Sequence, residues 1–155
     1  MPARRIKDYL ETQKVPYKTI PHRAVFTTQE VAAVTHIPGQ EVAKSVLIWI
    51  DNELTLVVVP ASRRVSLDML REETGARRIE LASERDFRDR FPGCEVGAMP
   101  PFGNLYGLKV LVAEALTHDE EIAFNAGTHT DVIQIRYDDF ERLVEPQVID
   151  ITPGH

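Results

Sequence analysis

The segment "QEVAKSVLIWIDNELTLVVVP", Gln40 to Pro60, constrains the fold most. Two runs rich in β-branched and apolar residues flank Asp51-Asn52-Glu53, the pattern of a β-hairpin. Both runs are apolar almost without interruption, so each strand needs cover on both faces and the hairpin is expected at the centre of a sheet. A chain of 155 residues can build one such core and not comfortably two, which predicts a single domain over 1–155.

Around this hairpin, helices and short extended pieces follow one another. Ile6, Tyr9 and Leu10 share a helical face between Arg4 and Lys14, and Pro16 stops the pattern. Thr27-x-x-Glu30 is a capping box that opens a second helix, closed near Pro38-Gly39. Ser66 and Gly75 bracket a third. Ser83 begins a fourth, in which Phe87 and Phe91 are spaced to form one apolar stripe, and residues 138–144 form a short last helix. Extended segments are expected at 17–21, 77–81, 106–113, 121–125, 132–136 and 148–151, those from 106 to 136 reading as a meander that closes the sheet. Helices mixed with antiparallel hairpins in this way indicate an α+β domain with a mixed, mostly antiparallel sheet.

Several function classes are excluded or disfavoured by composition. No apolar run approaches the roughly 18 residues that a membrane span needs, and the first residues are charged, so a cytoplasmic protein without membrane contact is expected. The lone Cys94 can close no internal disulfide and is assigned no chemistry. A formal charge of −6 argues against broad tracking of a phosphate backbone, so any nucleic-acid contact is local. Phosphate-binding loops, dinucleotide fingerprints, zinc-hydrolase helices and nucleophile elbows are absent from the sequence. The five histidines never fall in close pairs, and neither a metal nor another cofactor is expected.

Three features carry chemical potential. "GCEVGAMPPFGNLYG", Gly93 to Gly107, places four glycines and two adjacent prolines in fifteen residues, a stiff and bare loop that displays backbone amides. It serves either as a connection needing tight turns or as a binding loop. Lys44 stands at the head of a strand that is otherwise apolar, where an ammonium either snorkels outward or serves a pocket. His129 lies in a turn between two strands, flanked by Thr128 and Thr130, and reads equally as a surface residue.

Taken in order, "HRAVFT" with Glu30, Lys44, "GAMPPFG" and "FNAGTHTDVIQI" resemble the YbaK/prolyl-tRNA synthetase-associated editing superfamily, the aminoacyl-tRNA deacylases, from about residue 5 to residue 145. The resemblance implies the curved, barrel-like sheet of that fold. It also implies an editing pocket with catalytic roles at Lys44, Gly97 and His129. Its substrate-binding positions fall on His22, Phe26, Thr27, Ala98, Met99, Pro100, Pro101, Phe102, Gly103, Gly127 and Thr128. Water would be the nucleophile, helped by the neighbouring hydroxyl of the terminal sugar, which accords with the lack of a Ser-His-Asp set or paired carboxylates. The partners implied are the CCA end of an aminoacyl-tRNA and an aminoacyl-tRNA synthetase, with the chain a monomer or weak homodimer. The edited amino acid is expected to be small or proline-like. A catalytically silent module that captures a tRNA end or a synthetase is the alternative from another class. A small-molecule esterase would need an activated Ser or Cys with a matched base.

Overall fold

A computed structural model describes residues 2–25, 27–87, 89–91, 94–95 and 98–152. The elements are α1 (Pro2–Thr12), β1 (Lys18–Pro21), α2 (Thr28–Thr35), β2 (Ala43–Ile50), β3 (Glu53–Pro60), α3 (Leu67–Thr74), β4 (Ile79–Leu81), α4 (Glu84–Phe87), β5 (Lys109–Ala113), β6 (Glu121–Asn125), β7 (Asp131–Arg136), α5 (Tyr137–Val144) and β8 (Gln147–Ile149). The architecture is α+β, as the sequence pattern predicts.

The β2–β3 hairpin is central. β2 pairs antiparallel with both β3 and β4, and the sheet continues through parallel β5 and β8 in the order β4-β2-β3-β5-β8. Strand alternation explains the uninterrupted apolar runs. Ala43 and Leu47 face one buried cluster with Leu56, Val58 and Phe124, while Ile48 faces a second with Val57, Leu70 and Ile149. The first cluster also receives Ile6 and Leu10 of α1 and Phe140 of α5; α3 covers the second.

Two expectations need correction. First, residues 106–136 do not form a meander. β5 joins the five-stranded sheet beside β3, whereas β6 and β7 form a separate three-stranded sheet with β1, in the order β1-β7-β6. The reason is burial: Val110 and Val112 pack into one cluster and Leu111 and Ala113 into the other, so β5 belongs where both faces are covered. Among the described residues one parallel bridge, Val42 to Ala123, joins the two sheets. Second, the helix after Ser83 ends at Phe87 instead of reaching Phe91. Arg90 N bonds Phe87 O in an i to i+3 turn that leaves the helical path, and Phe87 and Phe91 meet edge to face at 6.5 Å instead.

Local signals elsewhere act as expected. Thr27 Oγ1 accepts from Glu30 N at 3.1 Å, and Glu30 Oε1 accepts from Thr27 N at 3.2 Å, completing the capping box of α2. Ser66 caps α3 through Met69 N at 3.1 Å. Val25, Val31, Val42, Ala123 and Val132 form a third buried cluster between α2 and the outer face of the three-stranded sheet. Among the described residues no helix is long and apolar enough to cross a membrane.

Candidate active site

The β6–β7 turn is the anchor of the site. Gly127 turns the chain at φ 96°, a conformation that a side chain at this position would strain. Thr128 Oγ1 donates to Asp131 Oδ2 at 3.0 Å, which braces the turn from within. His129 is buried; its backbone N donates to Glu95 Oε1 at 2.9 Å, and its carbonyl accepts from Val25 N at 3.3 Å. His22 N reaches Thr130 O at 2.9 Å, so the "HRAVFT" segment runs alongside the same turn.

The Gly/Pro loop is laced onto this turn. Glu95 N donates to Gly127 O at 2.8 Å, Gly127 N to Ala98 O at 2.8 Å, and Ala98 N to Glu95 O at 3.0 Å. On its other side, Ser45 Oγ donates to Met99 O at 3.0 Å, tying the loop to β2 one residue from Lys44. Three stretches far apart in sequence therefore converge. Glu95 bonds the turn through both its backbone and its carboxylate, and a carboxylate acceptor makes the stronger kind of hydrogen bond.

Lys44 is half-buried and lies opposite Val59 on β3. Alternation turns its side chain to the face opposite Ser45, the face shared with Val42 and Val46. Burial lowers its pKa, and the nearby Arg64 guanidinium lowers it further. Among the described residues no carboxylate forms an ion pair with Lys44 or Arg64. The result is a half-buried cation with a second cation near it, an arrangement suited to an anion.

Against this geometry, comparisons with known proteins are decisive. The model of the aminoacyl-tRNA editing domain matches residues 22–143. The chain belongs to the aminoacyl-tRNA editing domain family. The multifunctional Ser/Thr-tRNA deacylase ProXp-y of Escherichia coli is 28% identical to this editing domain over 151 residues, covering 94% of this chain and 89% of the deacylase. A proline–tRNA ligase of Bacillus cereus is 27% identical over 88 residues, which is 57% of this chain and 15% of the ligase. A solved structure described as a candidate trans-editing enzyme for prolyl tRNA synthetase superposes with a TM-score of 0.84 at 23% identity, covering 98% of this editing domain and 97% of that chain.

The remaining expected site residues of the editing domain divide into groups. Phe26 and Gly97 lie outside the described residues. Thr27 is exposed and occupied as the α2 cap. Ala98, Pro100 and Pro101 are buried. Met99 belongs to the main core, although its carbonyl holds the loop to Ser45.

Phe102 and Gly103 lie in the core. The Phe102 ring is fully buried against Tyr9, Phe124 and Phe140, and a Cβ at Gly103 would stand 2.6 Å from Val110 Cγ2. His22 Nδ1 lies 2.7 Å from the Arg23 carbonyl. A carbonyl only accepts, so Nδ1 carries a proton, while Nε2 is a buried atom without a hydrogen-bond partner.

Sequence reasoning missed Ser45, Glu95 and Asn125. Ser45 was within reach, since strand alternation separates it from Lys44. Nothing in the spacing links Glu95 to His129 or leaves Asn125 buried.

Proposed function

We propose that this editing domain hydrolyses the ester that joins a small amino acid to the 3′ end of a mischarged tRNA, acting in trans on the CCA end. The observation that carries the reading is the lacing of Glu95, Ala98 and Met99 to the 127–129 turn and to β2 beside Lys44. The junction fixes the loop and the turn relative to the strand that carries Lys44, and a positioned cation can stabilise a developing oxyanion.

In this mechanism a water oxygen adds to the ester carbonyl carbon, and the carbonyl oxygen becomes an oxyanion, for which Gly97 is the proposed stabilising position. The acyl C–O bond then breaks, the ribose oxygen leaves with a proton, and the amino acid departs as its carboxylate. The neighbouring ribose hydroxyl helps activate the water. Lys44 holds the terminal phosphate as a compact point charge, and His129 lines the pocket and orients substrate or water. The net charge of −6 is compatible with a substrate gripped only at its end.

The preferred amino acids are small or proline-like, with serine and threonine first, the pair named for the Escherichia coli relative. The partial match to a proline–tRNA ligase supports a synthetase as functional partner. The test is a deacylation panel in which purified protein meets tRNAs mischarged with alanine, serine, threonine or cysteine and their correctly charged counterparts. Release of one or more mischarged residues is expected; inertness toward every member rejects the hydrolase reading.

A further inference from the structure

The junction of β2 and β6 carries a half-buried cation without an ion pair and a buried amide oxygen without a hydrogen-bond partner. Lys44 is half-buried, and among the described residues no ion pair meets its charge. Asn125 is only 7% exposed, and its Oδ1 is buried without a hydrogen-bond partner. The parallel bridge between Val42 and Ala123 sets the register here. Bridged residues share a face, so alternation turns the side chains two positions further along, Lys44 and Asn125, toward that same face. Val132, opposite Asn125 on β7, points into the cluster beneath α2, which fixes that face as the outer one.

A buried amide oxygen without a partner is costly, and such groups recur where an external group completes them. We propose that Asn125 Oδ1 accepts a hydrogen bond from a hydroxyl of the terminal ribose of the charged tRNA, beside the phosphate held by Lys44. The assignment rests on the aminoacyl-tRNA reading above. Three groups of the substrate could donate to Oδ1: the α-ammonium, the adenine amine and a ribose hydroxyl. An α-ammonium is charged and pairs better with a carboxylate than with a neutral amide oxygen. The adenine amine projects from the base, away from the phosphate and the ester. A ribose hydroxyl is neutral and lies within the same nucleotide as the phosphate, matching an amide next to an ammonium. A neutral acceptor also avoids the repulsion that a carboxylate would exert on that phosphate.

The test compares binding of two uncharged RNA microhelices, one ending in CCA and one ending in 2′,3′-dideoxyadenosine. Wild-type protein is expected to prefer the hydroxylated end by about fivefold or more, the worth of one hydrogen bond. Asn125→Ala should bind both RNAs alike, with an unchanged or raised Tm because an orphaned buried acceptor has been removed. Asn125→Asp, which keeps an acceptor, should retain a preference even if overall affinity falls. Equal binding of the two RNAs by wild type, binding of neither, or an undiminished preference in folded Asn125→Ala overturns the assignment. A protein inert in the deacylation panel that still shows the preference, and loses it in Asn125→Ala, sinks the hydrolase reading and supports this one.

Discussion

The Ser45 hydroxyl donates to the Met99 carbonyl at 3.0 Å across 54 residues of sequence, so the strand that presents Lys44 and the loop that contains Gly97 are held by one side chain. The bond positions the loop without taking part in any chemistry. Ser45→Ala should cost about 1 kcal/mol of stability and lower deacylation several-fold through a looser loop. Thermal unfolding with single-turnover rates checks this; full activity with an unchanged Tm would show that the loop holds itself.

Lys44 offers the sharpest contrast. If its ammonium holds the terminal phosphate, Lys44→Ala should slow deacylation by about a hundredfold or more, with Tm unchanged or higher because a half-buried, uncompensated cation is lost. Lys44→Arg should also be poor, since a planar guanidinium is larger and directs its donors differently. A lysine that merely snorkels would tolerate arginine and leave turnover intact.

Glu95 should matter although it is exposed and outside every expected site. Its carboxylate accepts from His129 N at 2.9 Å, and its backbone N bonds Gly127 O at 2.8 Å. Glu95→Ala is expected to cost about 1.5 kcal/mol and to lower activity through displacement of His129, whereas Glu95→Gln, which keeps an acceptor, should come close to wild type. Equal losses in the two variants would point to charge rather than to the hydrogen bond.

Asp119 gives a pH signature away from the site. Burial raises its pKa to about 6, Glu41 adds to the rise, and His118 opposes it. One carboxylate oxygen is buried without a hydrogen-bond partner. The native state therefore keeps a proton that the unfolded chain releases near its ordinary value of 3.8, so this group's contribution to stability falls as pH rises from there to about 6 and is flat above. Asp119→Asn should raise Tm at pH 7 and flatten that part of the profile. A steeper decline in the variant would refute the assignment.

Short-range chemistry was legible in the sequence. The capping box at Thr27 and Glu30, the Ser66 cap, the doubly buried hairpin and the Gly127 turn all depend on residues within a few positions of one another, where side-chain size, φ preference and hydrogen-bonding capacity act directly. The order of the family motifs was readable for the same reason. Only tertiary structure decided that β5 runs parallel beside β3, that β6 and β7 form their own sheet, and that Phe102 belongs to the core. Strand partners are chosen by burial summed over the whole chain, and no local pattern contains that sum. The same holds at the site. Ser45 finds Met99, Glu95 finds His129, and Asn125 comes to share a face with Lys44 because of how distant strands and loops pack, and a buried atom left without a partner is visible only once all its neighbours are in place.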